Sequence, residues 1–192
     1  MGKIKHIQKV RDYLKRTHVA HIQSIKNIIG NNEYAHLLIH HMLKKKEIYR
    51  IAKGWYSLSQ DPTLAVFCFK PSYLGLQEAL SIHNIWEQET NTIVITTQIV
   101  REGLRKINES NVIFKRLPPS LFFGIEYKRY GHIDVPVSDI EKTLLDMLYF
   151  KQPIDKETLR QFKKKIDVKK VKEYTKRFPT KVKKQVKKII KN

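Results

Sequence analysis

Within the first sixty residues, apolar side chains recur three times at helical spacing and then switch to alternation, and few folds accommodate that order. Ile4, Ile7, Val10 and Leu14 mark a first helix whose other face is filled by Lys and Arg. Thr17-His18-Val19 is expected as a short strand. Ile22, Ile25, Ile28 and Ile29 then mark a second helix, stopped by Gly30-Asn31-Asn32, residues that tolerate the left-handed conformation a helix end needs. A third helix turns Ala35, Leu38, Ile39 and Met42 inward, and its Lys44-Lys45-Lys46 suits the negative end of the helix dipole. From Glu47 to Leu58 the pattern becomes that of a two-stranded ribbon, with Tyr49/Ile51 and Tyr56/Leu58 alternating and Lys53-Gly54 at the tip. Three helices followed by a basic hairpin is the order of a winged helix-turn-helix.

That fold would place the start of the third helix in a DNA major groove. The residues there are Asn32, Tyr34, His36 and Leu37, with His40 one turn on and Asn31 and Lys44 within reach of phosphate. Asn bonds adenine bidentately, and His or Tyr bonds bases or phosphates. Arg50, Lys53 and Trp55 are the hairpin candidates for backbone or minor-groove contact. Trp55 equally suits a plug between hairpin and core. The competing reading of the helix positions is an ordinary solvated surface.

Charge weighs between the two. The 192 residues carry a net charge of +20, distributed in blocks. Residues 1–60 hold 12 Lys/Arg against 3 Asp/Glu, residues 61–150 hold 9 against 11, and residues 151–192 hold 17 against 4. Two basic ends around a near-neutral middle favour a polyanionic partner, with double-stranded DNA first and an anionic membrane surface second. The single cysteine, Cys68, lies in an apolar run and is expected to be a buried small residue. No run approaches the roughly eighteen apolar residues of a membrane span, and the N-terminus has no signal-peptide core, so a cytoplasmic protein is expected.

Asp61-Pro62 breaks the pattern and is the expected boundary of the first domain (1–60). Beyond it, Leu64–Phe69 fits either a helix or a buried strand. Leu76–Ile85 is expected as helix, and Thr92–Thr97, β-branched throughout, as strand. Further strands are expected at Val112–Leu117, Leu121–Tyr127 and His132–Val137. Ser138-Asp139-Ile140-Glu141 has the form of a capping box opening a helix through Leu148. Residues 61–150 therefore describe a small α+β domain. Residues 151–192 describe a basic segment of three short helices, with apolar stripes Leu159/Phe162/Ile166, Val168/Val171/Tyr174/Phe178 and Val182/Val186/Ile189/Ile190. The fold class expected for the whole is α+β. The lysines of the last segment suit DNA phosphates or plain solvation, and its stripes hold few large aromatics for membrane insertion.

Chemistry-bearing clusters are sparse. His36 and His40 have a two-ligand spacing without a third ligand adjoining them, so no metal and no cofactor are expected. Asp134 followed by Glu141-Lys142 is a faint nuclease-like arrangement, but such a site needs carboxylates and a lysine converging on one metal. No Gly-rich phosphate loop or nucleophile elbow is present, and the chain is not expected to be an enzyme. A metal-dependent nuclease and an RNA-binding module stand as the alternatives to a DNA-binding regulator.

Three stretches together resemble one family. They are Ile48–Tyr56; Tyr73-Leu74-Gly75-Leu76-Gln77-Glu78-Ala79-Leu80-Ser81-Ile82-His83-Asn84; and Phe123-Gly124 followed by Val135-Pro136-Val137-Ser138-Asp139-Ile140-Glu141-Lys142-Thr143-Leu144-Leu145-Asp146. In order and spacing they resemble the AbiEi-type antitoxin-like transcriptional regulators of abortive-infection (type IV) toxin–antitoxin systems, over about residues 5–150. Glu78 stands where the family more often has serine, and Asn84 where it more often has glycine. The resemblance implies an N-terminal domain that represses its own promoter at inverted repeats. It also implies a following domain that counters a nucleotidyltransferase-like toxin.

Overall fold

The computed structural model describes residues 2–86 and 91–191, with side chains described for 5–86 and 91–190. It is an α+β structure that divides into two compact units, Met1–Phe69 with Arg105–Val112, and Lys70–Leu104 with Ile113–Asn192.

The first unit begins with α1 (Gly2–Thr17), β1 (Ala20–His21), α2 (Ile22–Ile29) and α3 (Asn32–Lys44), followed by the hairpin β2 (Tyr49–Ala52) and β3 (Trp55–Ser57). Its core is the set of stripes legible in the sequence: Val10 and Leu14 from α1, Ile25 and Ile29 from α2, and Ala35, Leu38, Ile39 and Met42 from α3. Ile48 and Tyr56 close it from the hairpin, and Ile7 packs at its edge; the side chain of Ile4 lies outside the described residues. The small sheet has the order β1-β3-β2. The short strand lies at Ala20–His21 and not at Thr17–Val19, because α1 runs to Thr17 and His18 then turns the chain at φ +62°. The ambiguous apolar run becomes a 3-10 helix, Pro62–Phe67, capped by Asp61 and burying Leu64, Ala65 and Val66; it falls in the first unit, beyond Asp61-Pro62.

The second set of elements is β4 (Ser72–Leu74), α4 (Leu76–Ile82), β5 (Thr92–Thr96), β6 (Gly103–Ile107), β7 (Ser110–Arg116), β8 (Ile125–Tyr130) and β9 (Ile133–Ser138), then α5 (Ile140–Tyr149), α6 (Lys156–Lys165), α7 (Val168–Thr175) and α8 (Thr180–Lys191). The sheet order is β6-β7-β5-β4-β9-β8, with β4 antiparallel to β5 and parallel to β9. β4 carries no distinct sequence signal at three residues, and β6, Gly-Leu-Arg-Lys-Ile, shows no apolar–polar alternation. α4 stops at Ile82, short of Ile85, because His83 caps it and Asn84 adopts φ +54°. β8 starts only at Ile125, since Pro119–Leu121 forms a 3-10 turn and Gly124 takes φ +65° first.

The capping box is displaced by one residue. Ser138 still belongs to β9 and bonds Thr143 Oγ1 at 2.7 Å, so Asp139 is the cap and accepts from the Lys142 N–H at 2.7 Å. Glu141 accepts instead from the N–H of Asp167.

The three basic helices share the core of this unit. Phe162, Val171, Phe178, Val182 and Val186 pack with Tyr73, Leu76, Leu144, Leu145 and Met147. Asp155 and Asp167 cap α6 and α7. Among the described residues no helix is long and apolar enough to cross a membrane. If these helices are integral to the unit, Phe162→Ala should lower stability by about 3–5 kcal/mol, the usual cost of emptying a buried aromatic site. Urea unfolding followed by circular dichroism checks this; a detached tail would show almost no change.

Candidate nucleic-acid interface and a buried lysine cluster

The turn between α2 and α3 is built by two residues. Gly30 takes the left-handed conformation at φ +76° with its N–H returned to the Lys26 carbonyl. Asn31 then caps α3, its Oδ1 accepting from the Tyr34 N–H at 2.9 Å. That bond occupies one side-chain atom of Asn31, and the residue remains exposed.

With one face of α3 buried, the helix displays Asn32, His36, Leu37, His40 and Lys44 outward. Leu37 is 65% exposed and gives this otherwise polar face one apolar side chain. Tyr34 is not on this face: it is half-buried and meets His6 of α1 edge-on at 5.5 Å.

In the hairpin, β2 and β3 pair with a bulge between Arg50 and Ala52, and Arg50 is exposed, its guanidinium 5.9 Å from the Tyr56 ring. Lys53 is exposed at the tip. Gly54 has φ +78°, and a Cβ there would lie 3.1 Å from His21 Nε2, so the tip closes tightly on the start of α2; its carbonyl accepts from the Ile22 N–H at 2.7 Å. Trp55 is half-buried, edge-on to His21 at 5.1 Å. Among the described residues, Lys44, Arg50 and Lys53 have no carboxylate partner.

The second unit holds a cluster that the sequence signalled only in part. Lys142 and Asp146 face each other one turn apart on α5 and form an ion pair with both side chains out of solvent. Tyr73 of β4 completes it: its hydroxyl accepts from Lys142 Nζ at 2.9 Å and donates to Asp146 Oδ2 at 2.7 Å. The ammonium also lies 5.2–5.5 Å from the rings of Tyr73, Phe178 and Phe123, within cation–π range. Burial pushes Lys142 below the ordinary lysine value and Asp146 above the ordinary carboxylate value, and their mutual attraction opposes both shifts. Burial, reinforced by the Asp146 charge, raises Tyr73 well above the usual phenol range. With no exposed atom to meet a substrate, the cluster is a tie between β4, α5 and the C-terminal helices.

Around it stands a second layer. Lys170 bonds Asp139 Oδ2 at 3.1 Å and Glu141 Oε2 at 2.9 Å, and Tyr174 donates to Asp139 Oδ2 at 3.0 Å. Burial works against the Lys170 ammonium, but the two carboxylates outweigh it and hold its pKa above the ordinary value. Gly124 fits here for want of room: a Cβ would come within 2.8 Å of Tyr174 and 3.0 Å of Lys142. His83 Nε2 donates to the Ser138 carbonyl at 2.7 Å. Tyr73, His83, Phe123-Gly124 and Ser138 to Asp146, all quoted above for the family resemblance, thus meet in one place.

The nuclease-like residues are dispersed into other tasks. Asp134 pairs with Arg129 across the β8–β9 hairpin at 3.3 Å, and Glu141 serves α7. Among the described residues no three His, Cys, Asp or Glu side chains are grouped to hold a metal ion.

Removing one partner of the buried pair should be costly. Lys142→Ala is expected to destabilise by about 3–5 kcal/mol by leaving the buried Asp146 carboxylate without its cation. The triple change Lys142→Met, Asp146→Leu, Tyr73→Phe should recover most of that loss, as chemical denaturation of the variants would show.

No family model matches the chain. No curated protein matches it. Among solved structures it is similar to the crystal structure of the Rv2827c protein from Mycobacterium tuberculosis, with a TM-score of 0.64 over 97% of this chain and 76% of that one. At 12% identity the likeness is one of fold.

Proposed function

We propose that the chain is a sequence-specific, double-stranded-DNA-binding transcription regulator whose first unit acts as a winged helix-turn-helix. The observation that carries this reading is the outward face of α3, where Asn32, His36, Leu37, His40 and Lys44 stand together on a rigid helix. Asn32 and the histidines offer hydrogen bonds to base edges, and Leu37 offers an apolar contact for a thymine methyl. Lys44, and Arg50 and Lys53 of the hairpin, supply phosphate contacts without a competing carboxylate. Tyr34 supports α3 from within. The residues shared with the AbiEi-type regulators extend the proposal to a cytoplasmic autorepressor at inverted repeats in its own promoter. They extend it further to an antitoxin opposing a nucleotidyltransferase-like toxin.

The test is binding to the DNA upstream of its own gene, against random duplex, across a salt series. Phosphate neutralisation alone gives a slope of about −0.9 per contact on both DNAs. A specific regulator adds a gap of roughly three decades or more for its own site. Equal binding to both would overturn the reading. On the specific site, Asn32→Ala should cost about 1–3 kcal/mol and relax sequence preference, whereas Lys53→Ala should weaken both DNAs alike and lower the salt slope by about one. Equal losses on both DNAs for both variants would refute that division of labour.

A further inference from the structure

α7 and α8 enclose a groove of about 470 Å³ whose lining has a definite chemical character. Thr175, Val186 and Ile190 form its floor, and Lys172, Lys176, Lys183 and Lys187 its rim. Lys172 and Thr175 of α7 with its C-cap Lys176, and 183, 186, 187 and 190 of α8, each follow the i, i+3, i+4 pattern of a single helical stripe. Among the described residues the floor carries no unmet polar group: the Thr175 hydroxyl donates to the Val171 carbonyl at 2.6 Å.

The rim is electrostatically unbalanced. Lys170, two residues before Lys172 on α7, is neutralised by Asp139 and Glu141. The four rim lysines have no ion pair among the described residues, and α8 contains no acidic residue at all. Lys183/Lys187 and Lys184/Lys188 are like charges four apart, an arrangement that weakens a helix. Four lysines thus border an apolar recess, with Glu173 the acidic residue of α7 beside them.

We propose that this groove docks an acidic amphipathic helix of a protein partner. Its apolar residues at i and i+4 would fill the recess beside half-buried Ile190 and the lysine stems, and Asp or Glu on either side would meet the four lysines. DNA phosphates match the rim but leave the apolar floor unused. An anionic bilayer needs apolar side chains that project, and here they are recessed. An amphipathic acidic helix uses both features. The proposal involves only helices of the second unit and stands apart from the DNA-binding reading.

The experiment uses the full chain and a fluorescein-labelled designed helical peptide with leucines at i and i+4 flanked by glutamates, read by anisotropy. A peptide of identical composition in shuffled order, random duplex DNA and phosphatidylglycerol vesicles are the comparison probes. The stripe-bearing peptide is expected to bind at least about tenfold more tightly than the shuffled one. The double variant Lys183→Glu, Lys187→Glu should lose about tenfold of that binding, and Ile190→Ser should weaken the amphipathic peptide but not the shuffled one. Circular dichroism melts establish that the variants fold, and Lys183→Gln, Lys187→Gln replaces the charge reversal if it does not. Equal binding of the two peptides, or indifference to Ile190→Ser, would reduce the groove to diffuse charge attraction and overturn the proposal. So would DNA or vesicle binding that falls with Ile190→Ser as the peptide's does.

Discussion

A lysine ammonium with no exposed surface sets the terms for the second unit. Lys142 can remain buried only because Asp146, the Tyr73 hydroxyl and three aromatic faces surround it. Each of those groups is delivered by a different part of the chain: Tyr73 by β4, Phe123 by the loop before β8, Phe178 by the connection from α7 to α8. Desolvating a charge is expensive, so the arrangement penalises any packing in which one partner is absent. This gives the C-terminal helices a fixed seat despite their extreme lysine content, and it accounts for Gly124, the Asp139 cap and the Lys170 bridges as the layer that encloses the pair.

The same chain must also manage a large excess of positive charge. It does so by segregation. Apolar stripes turn inward on the basic helices, exposed Val168 of α7 excepted, and most lysines are left in water, where repulsion is screened. Two places depart from simple solvation. On α3 the outward face mixes amide, imidazole and an exposed leucine. Between α7 and α8, lysines without an ion pair among the described residues ring an apolar recess. The first is the face proposed to meet a duplex, and the second the groove proposed to dock an acidic helix. A regulator of the kind proposed has use for both.

The helices of the first unit, their apolar stripes, and the Gly30-Asn31 turn were legible because helical period and capping chemistry are local. The outward positions Asn32, His36, Leu37, His40 and Lys44 followed from the same period. Tyr34 did not, since its burial depends on His6, twenty-eight positions away in another helix. Local chemistry also misled by one residue at Ser138: serine and aspartate are both good caps, and only the pairing of β9 with β8 decides which of them leaves the strand. β4 was invisible because a three-residue strand owes its existence to its neighbours, and β6, Gly-Leu-Arg-Lys-Ile, because it lacks apolar–polar alternation and leaves Leu104 exposed.

Sequence alone thus determined the α+β class, the three helices and basic hairpin at the N-terminus, the amphipathic basic helices at the C-terminus, and the block distribution of charge. Each of these is written in period, composition or capping residues a few positions apart. Tertiary structure decided the sheet order, the assembly of Tyr73, Lys142 and Asp146, and the groove that α7 and α8 form with each other. Those features join residues tens of positions apart in the chain or on separate helices. What fixes them is the need to satisfy buried charge and fill apolar space, conditions that exist only once the chain has closed on itself.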